Sequence, residues 1–360
     1  MIKERSICYP SGHLDPHKVT GIILCGMGGP DGPDAVRPFL RNLFADPAIL
    51  PVPSWLSPLL GRIISARRAP GVRERYLRIS PDGVTPQLPT TRAQAEQVCE
   101  LLATMLGGPF VPGMAMRYWH PFPKQTVTEM LAQGVEQFVI VPTYPQYSSA
   151  TNGSTLLFVQ DSLRRHARDK TCHFLPQWPE LAGMIDVFAE AAIEALRGFH
   201  AAGHKPEECA LLFGAHSLPQ KMIDQGDPYL QQTRQTVRSV HSRVRGALPV
   251  EWVARVRGGR ESLLAFQSRV GPIRWLGPEL VRTVQDLAAQ GVRHLHLQPV
   301  SFTCEHIETA LELDIELKED ADAAGIRTFS RGAALNLDER WLRSLADTIA
   351  RQAFKREVVS

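Results

Sequence analysis

The chain has 360 residues, of which 44% are hydrophobic and 21% are charged, and its formal net charge is +3. These values are typical of a soluble globular protein with room for two domains, and so small a charge argues against a nucleic-acid partner. The six cysteines are scattered without a CxxC pair, which argues against a zinc knuckle or a disulfide framework and predicts reduced core thiols.

The first predicted element is a buried strand from about residue 19 to 25, which runs into a glycine-rich turn. Glycines such as Gly26, Gly28 and Gly29, directly after a strand, are also found in dinucleotide-binding loops. However, Pro30 and Asp31 occupy the span where such a loop needs a helix start and a third glycine. A nucleotide-dependent oxidoreductase is therefore the least favoured of the functions considered.

An apolar, proline-rich lip segment follows at 48–68 and ends in Arg67 and Arg68. Large side chains such as Trp55 and Ile63 are numerous for a segment with so many prolines. The segment is either a packed loop and helix, the lip of an apolar cleft, or a piece that dips into a membrane surface. In the last two cases, the paired arginines would meet carboxylates or phosphates.

Two stretches of the chain share one helix–glycine–strand pattern. Residues 126–145 align without a gap against residues 283–302, and they share a TV pair, an AQGV run and the proline after the strand. A shorter pair, 21–30 and 210–219, aligns in the same way. Either such units look alike by chance, or the chain contains two related, doubly wound α/β halves.

A proline-rich break near residue 178 divides these halves into 18–178 and 179–335. The first half would include the lip segment, and the second would carry the catalytic residues. We expect the amphipathic C-terminal helix within 336–360 to pack back on the first half. A ligand would then lie in the cleft between the strand ends of both halves.

A row of acidic residues follows the last long strand of the second half. Glu308, Glu312 and Glu316 recur every four residues, and His306 stands two residues ahead of the first. Like charges at this spacing repel one another on an α-helix, whereas a π-type turn would hold the row nearly straight. The row is either a solvated helix face or a file of oxygen ligands and proton acceptors at a strand end.

Seven motifs, taken together and in unbroken order, resemble the ferrochelatases, which insert ferrous iron into protoporphyrin IX. They are GMGGPDGPDAVRPFLRNLFADP, RYWHP, YPQYSSATNGSTL, FGAHSLP, QGDPY, FQSRVGPIRWLGP and FTCEHIETALELDIE. The resemblance implies an α/β protein of two similar Rossmann-like domains with parallel sheets, the type II chelatase fold. It also implies an active site in the inter-domain cleft.

The resemblance further implies roles for individual residues. His216 and Glu308 take the catalytic and metal-binding positions, and His306, Glu312 and Glu316 continue a metal or proton path. The residues expected to bind the porphyrin are Met27, Arg67, Arg68, Tyr76, Arg117, Tyr118, Tyr229, Trp275 and Phe302. An imidazole can take the pyrrole protons, and imidazole and carboxylate both suit Fe(II). Whether the glutamates remove protons or deliver the metal stays open at this point.

Three positions depart from the family pattern. Gly26 stands where asparagine is common, and Glu305 replaces a frequent aspartate while keeping its charge. The loop at 79–86, after Tyr76, lacks the usual glycine pair, which puts propionate contacts near Thr85 in doubt. This loop also keeps open a porphyrin- or haem-binding homologue that has lost catalysis.

The resemblance also bears on cofactors. Some ferrochelatases bind a [2Fe–2S] cluster through four thiolates, but no cysteine follows Cys304 here, and Ser149 stands at the position of one ligand. We therefore expect no cluster and no tightly bound cofactor, with Fe²⁺ entering as a substrate.

The expected reaction is the formation of protohaem, and the alternative within the same class is a ferrochelatase that uses coproporphyrin III. The expected partners are the porphyrin and ferrous iron, together with a membrane surface at the lip; the preceding haem-pathway enzyme is a further candidate. The chain has no apolar stretch fit for a signal peptide or a membrane span, so we expect it in the cytoplasm, peripheral to the inner membrane.

Overall fold

A computed structural model describes residues 13–47, 49, 52–53, 55–269 and 271–355. Four residues of the predicted lip segment, at 48, 50, 51 and 54, lie outside this description. The chain divides into two compact units. The first contains the residues up to Trp178 and those from Leu342 onward, and the second is Pro179–Trp341.

The first unit is built on a parallel sheet. In the described residues, its strands are β1 (Thr20–Gly26), β2 (Phe110–Met116), β3 (Gln137–Pro142) and β4 (Thr171–Phe174), and its helices are α1 (Val36–Phe44), α2 (Ser57–Ile79), α3 (Gln87–Leu106), α4 (Pro123–Ala132) and α5 (Ser154–His166). The sheet order is β2-β1-β3-β4, with every pair parallel. Strands covered on both faces are apolar throughout, which explains the continuous hydrophobic runs of β1 and β3.

The second unit contains another parallel sheet. Over the described part of the chain, its strands are β5 (Cys209–His216), β6 (Leu263–Gln267), β7 (His294–Pro299) and β8 (Thr328–Arg331), and its helices are α6 (Ala182–Ala201), α7 (Gln220–Asp224), α8 (Tyr229–Gly246), α9 (Val250–Val253), α10 (Leu280–Ala289), α11 (Ile307–Ala310) and α12 (Leu317–Ala324). The sheet order is β6-β5-β7-β8, again parallel. A last helix, α13 (Glu339–Phe354), starts in this unit and belongs to the first unit from Leu342 on.

The two sheets have the same strand order, which confirms the predicted α/β class with two similar parallel-sheet halves. The aligned repeats account for α4 and β3 in the first unit and for α10 and β7 in the second. Each unit also has a π-helical turn directly before a helix that follows its third strand. In the first unit, Ser149–Gly153 lies between β3 and α5, and in the second unit, Glu312–Glu316 lies between β7 and α12. The shared scaffold therefore includes the turn as well as the strands.

The lip segment is more regular than its prolines suggested. Pro58 stands in the first turn of α2, where proline is tolerated because that N–H has no helical partner. The helix then continues through Pro70 to Ile79, for 23 residues in all. None of the helices within the described ranges is long and apolar enough to cross a membrane.

The cysteines that the structure describes are Cys25, Cys99, Cys172, Cys209 and Cys304, and all are free and buried, as predicted. Burial raises the pKa of Cys172 and Cys209 to about 12, so these thiols stay protonated at neutral pH. Cys8 lies outside the described residues.

Candidate active site

The predicted catalytic histidine lies at the carboxyl ends of the strands in the sheet of the second unit. β5 ends at His216, which pairs in register with Gln267 at the end of β6. On the other side of β5, the neighbouring strand β7 ends at Pro299, opposite Gly214. Parallel strands place their carboxyl ends together, and ligand sites of open α/β sheets form there.

His216 and Glu308 are in direct contact at this edge. The His216 Nδ1 atom lies 2.9 Å from Glu308 Oε2, and the two side chains are 31% and 26% exposed. His306 Nε2 lies 3.7 Å from the same carboxylate oxygen. Glu308 therefore lies within reach of two imidazoles and stays partly open to its surroundings.

Each partner shifts the protonation of the other. Burial opposes protonation of His216, but the charge and hydrogen bond of Glu308, together with the charge of Glu312, outweigh burial and raise the pKa of His216. Burial likewise works to raise the pKa of Glu308, yet His216 and then His306 hold that pKa well below its usual range. The pair therefore favours an imidazolium beside a carboxylate.

The next carboxylate of the row, Glu312, begins the π-helical turn Glu312–Glu316. The Glu316 N–H donates to the Leu311 carbonyl over 2.9 Å, and this bond spans five residues, as a π-helix requires. Burial, followed by the charge of Glu308, raises the pKa of Glu312. Of the two arrangements considered from the sequence, the structure contains the π-type turn over this part of the row.

Glu312 is held by two residues that were not among the predicted site residues. Ser268 Oγ donates to its Oε2 over 2.5 Å, and Gln267 Nε2 donates to the same atom over 3.1 Å. Ser268 adopts a left-handed backbone with φ 65, which costs a non-glycine residue on the order of 1 kcal/mol. The signal available in the sequence was the QSRVGP motif directly after the buried end of β6.

Tyr229 supports His216 from within the unit. Its hydroxyl donates to the His216 backbone carbonyl over 2.9 Å and lies 3.3 Å from Ser301 Oγ. Burial raises the pKa of Tyr229 to about 12, so the hydroxyl stays protonated and keeps this bond. The expected porphyrin contact of Tyr229 stays a prediction.

Two further aromatic residues lie near the two histidines. Trp275 is half-buried and forms an antiparallel backbone bridge with Pro219, three residues after His216. Phe302 is buried, and its ring centroid lies 4.6 Å from that of His306 in an edge-on arrangement. The second unit thus brings His306, Glu312 and Tyr229 to the His216–Glu308 pair, with Phe302 against His306.

Comparison with known proteins identifies the family. A family model described as Ferrochelatase matches residues 19–353. A ferrochelatase of Gloeobacter violaceus is 38% identical over 336 residues, which are 91% of this chain and 96% of that protein. A ferrochelatase of Geobacter metallireducens is 36% identical over 331 residues, 92% of this chain and 97% of that protein. This chain belongs to the ferrochelatase family.

Family membership confirms the resemblance seen in the motifs and the prediction of an enzyme of the metal-chelatase class. Among solved structures, SirB from Bacillus subtilis with Fe³⁺ aligns with a TM-score of 0.48 at 9% identity, over 93% of this chain and 96% of that one. A score this low adds nothing to the assignment, which depends on the sequence relatives.

Ferrochelatases handle iron as a substrate, so a resident metal cage is not required. Within the part of the chain that the structure describes, no group of three or more His, Cys, Asp or Glu side chains is arranged to hold a metal ion. His216 and Glu308 offer one nitrogen and one carboxylate, and their expected metal binding stays a prediction.

The first unit holds a second cluster of predicted residues. Met27 follows β1, donates its N–H to Tyr144 Oη over 3.0 Å, and accepts the Tyr118 N–H at its carbonyl over 3.0 Å. Arg117 Nε donates to Asp46 over 2.8 Å, and Tyr118 Oη donates to the same oxygen over 2.7 Å. This part of the predicted site is fixed by a carboxylate that the sequence analysis did not identify.

The remaining predicted residues lie on α2. Arg67 and Arg68 are exposed, and the Arg68 guanidinium lies 5.3 Å from the centroid of the Phe44 ring. Tyr76 is only 4% exposed, so it belongs to the core of its unit. The expected contacts of these three residues with propionates stay predictions, as does the role of the loop that follows.

Proposed function

We propose that this protein inserts ferrous iron into protoporphyrin IX and forms protohaem. The observation that carries the proposal is the 2.9 Å contact between His216 Nδ1 and Glu308 Oε2 at the carboxyl end of β5. Two pyrrole protons must leave the macrocycle as the metal binds. An imidazole held by an ionised carboxylate can accept them, because the carboxylate balances the charge that forms.

The carboxylate row gives these protons a way out. The pKa of Glu312 is raised and therefore lies nearer to neutral pH, so this carboxyl group takes up and releases protons more readily. In this proposal, protons accepted by His216 move along the carboxylate row, from Glu308 to Glu312, and leave at Glu316. Imidazole and carboxylate also suit Fe(II) without holding it tightly, so the same pair can meet the incoming metal.

Exposed apolar groups on the lip favour the less charged of the two porphyrin substrates. Trp55, two residues before α2, is 79% exposed, and Leu59, in the first turn of α2, is 55% exposed. Coproporphyrin III carries additional carboxylates that would need further cations, whereas protoporphyrin IX carries apolar vinyl groups at those positions. We infer that the protein prefers protoporphyrin IX, with Arg67 and Arg68 meeting its propionates.

The direct test is an anaerobic assay with purified protein, protoporphyrin IX and Fe²⁺. The free-base porphyrin absorption should disappear as protohaem forms, at a rate proportional to protein concentration. A protein that binds porphyrin tightly but never inserts metal would instead be a non-catalytic porphyrin-binding homologue. No turnover under any metal concentration would reject the proposed reaction.

A competition assay tests the choice of porphyrin. Protoporphyrin IX and coproporphyrin III are supplied together at equal concentrations, and the two haem products are separated and quantified. We expect protohaem to dominate, with a ratio that reflects the two kcat/KM values. A dominant coprohaem product would overturn the preference and leave metal insertion itself intact.

The absence of a cluster is tested on the same preparation. Purified protein should contain no acid-labile sulfide and no visible absorption beyond that of bound porphyrin, because the thiolates for a [2Fe–2S] cluster are not expected to converge. Stoichiometric iron and sulfide in the metal-free preparation would contradict this part of the proposal.

A further inference from the structure

Arg331 lies at the end of β8 and joins two segments of the proposed site. Its Nε and Nη2 atoms donate to Asp314 Oδ1 and Oδ2 over 2.5 and 2.7 Å, which is a two-point, bidentate contact. Its Nη1 atom donates to Glu305 Oε1 over 3.0 Å and to the Gly332 carbonyl over 2.9 Å. The Arg331 side chain is 12% exposed and that of Glu305 is 19% exposed, so the bond between them is largely shielded from water, whereas Asp314 is 41% exposed.

The two acidic partners belong to the segments that carry the site carboxylates. Glu305 directly precedes His306 and stands three residues before Glu308. Asp314 lies inside the π-helical turn, between Glu312 and Glu316. One guanidinium therefore ties the loop after β7 and the π-helical turn to the same edge strand.

We infer that Arg331 is a positioning residue for metal insertion, because it fixes Glu308 and Glu312 relative to one another and to His216. The inference rests on the proposed function, since it assigns Arg331 a part in that same site. Arg331 does not itself contact His216, Glu308 or Glu312 through any hydrogen bond in the described structure. It acts through Glu305 and Asp314.

The loop side of this arrangement is held at several points. Glu305 Oε1 also accepts the Ala334 N–H over 2.9 Å, and the Glu305 N–H donates to Asn336 Oδ1 over 3.1 Å. Burial works to raise the pKa of Glu305, but the charge of Arg331, together with hydrogen bonds from Thr309, Ala334 and Arg331, outweighs burial and lowers that pKa. Glu305 therefore stays ionised and keeps its bond to the guanidinium.

Charge gives a second reason for an arginine at this position. Glu305 and Asp314 would add two uncompensated negative charges beside a row that already contains Glu308 and Glu312. Arg331 balances them, so that the row keeps its own carboxylates for protons and iron. A lysine could balance the charge, but it offers no planar fork for a two-point contact with Asp314.

The test compares three variants in kinetics, porphyrin binding and hydrogen exchange. Arg331→Met removes the fork and the charge, Arg331→Lys keeps the charge alone, and Arg340→Met is the matched control. Arg340 is also bonded to two carboxylates of the second unit, Glu190 and Asp338, but neither belongs to the loop or to the π-helical turn. Porphyrin affinity is followed by fluorescence quenching, independently of turnover.

We expect Arg331→Met to lower kcat/KM for iron by about tenfold or more, because small displacements of reacting groups are costly. Porphyrin affinity should stay within about twofold of the unmodified protein, since no porphyrin-binding group is removed. The kcat/KM of Arg331→Lys for iron should lie between that of Arg331→Met and that of the unmodified protein. Arg340→Met should match the unmodified protein. Backbone amides of 306–317 should exchange faster in Arg331→Met, but not in Arg340→Met.

Equal losses in iron-dependent rate and porphyrin affinity would overturn the inference, as would an iron-dependent kcat/KM in Arg331→Met within about twofold of the unmodified protein. If Arg331→Met does not fold, Arg331→Lys decides by the same criteria. If the unmodified protein inserts no metal, the proposed function fails, and hydrogen exchange alone decides the positioning role. Unchanged protection of 306–317 in both Arg331 variants would then reject it.

Discussion

At the end of β5, the imidazole of His216 is subject to two opposing influences: withdrawal from water, which favours its neutral form, and the carboxylate of Glu308, which favours its charged form. The carboxylate prevails, and the pKa of His216 is raised. An acceptor of this kind binds protons more readily than a free imidazole does. It must return to its neutral form before each new proton, so the rate depends on pH.

Replacing His216 by alanine should remove metal insertion while the unit stays folded, because the side chain is partly exposed and its loss leaves no large buried cavity. We expect the rate to fall by about a hundredfold or more, which is the usual size of a general-base contribution. The rate of protohaem formation and the unfolding temperature measure the two effects. His200→Ala, at an exposed histidine of the same unit, is the control and should keep full activity.

A pH profile tests the coupling between His216 and Glu308. Because His216 accepts protons in its neutral form, activity should rise as pH increases through its pKa. The raised pKa places this acidic limb above the ordinary histidine value of 6.5. Glu308→Gln removes the charge that raises the pKa, so the limb of its much weaker residual activity should move to lower pH. A limb that stays in place would separate His216 from the rate-limiting protonation.

At the scale of the element, the π-helical turn explains why an acidic row is tolerated here. The turn buries Leu313 on one side and presents Glu312 to Ser268 and Gln267 on another. The first unit also has a π-helical turn directly before a helix, α5, but its residues are SATNG, without a carboxylate. A π-helical turn is therefore common to the two units, and of these two turns only the one in the second unit carries acidic residues.

Neutralising Glu312 and Glu316 should produce unequal losses. Glu312 accepts hydrogen bonds from Gln267 and Ser268 at the carboxyl end of β6, and its pKa is raised. Glu316 stands four residues farther along the row from the His216–Glu308 pair. We expect Glu312→Gln to lower kcat by about tenfold and Glu316→Gln to lower kcat by less than about threefold. Steady-state rates at saturating porphyrin and iron measure both. Equal losses would contradict an ordered row.

If the row conducts protons alone, Glu312→Gln should leave the KM for iron nearly unchanged. A KM for iron that rises together with the fall in kcat would mean that the row also delivers the metal. Glu319→Gln, on α12 beyond the row, is the matched control for loss of one carboxylate from this segment. It should alter neither constant.

The sequence indicated candidate residues for the site but not the residues that hold them in place. The FGAHSLP motif pointed to His216, and the spacing of four residues pointed to the three glutamates, because both signals are visible without a fold. The bonds from Ser268 to Glu312 and from Arg331 to Asp314 join residues far apart in the chain. Such contacts depend on how β6 and β8 lie beside the loop after β7, which no local pattern contains.

At the scale of the whole molecule, the internal sequence repeat was the most productive signal. The alignment of 126–145 with 283–302 correctly anticipated a helix and a strand at matching places in two sheets of the same order. The lip segment was harder to predict, because prolines ordinarily indicate a break. Pro58 is accommodated at the start of α2, and the helix continues past Pro70.

The start of α2 provides the basis for membrane contact. Trp55, in the turn two residues before α2, is 79% exposed, and Leu59 and Ile63 on α2 are 55% and 48% exposed. Leu59 and Ile63 are four residues apart and therefore lie on the same side of the helix. Arg62 and Arg67 lie nearby and are also exposed. Exposed apolar groups flanked by cations bind anionic lipid surfaces, because burial of the apolar groups and attraction to the headgroups add together.

We therefore expect the protein to pellet with liposomes that contain anionic lipid, and Trp55→Ser combined with Leu59→Ser to abolish most of that binding. Each large apolar side chain contributes about 1.5–3 kcal/mol when it leaves water, so losing two should weaken binding by at least tenfold. Val250→Ser is the control, because Val250 is 70% exposed and belongs to the second unit rather than to the lip segment. Equal pelleting of the double variant and the unmodified protein would remove the lip from membrane binding. If the double variant also lost turnover with detergent-solubilised porphyrin, the same side chains would serve the substrate as well as the membrane.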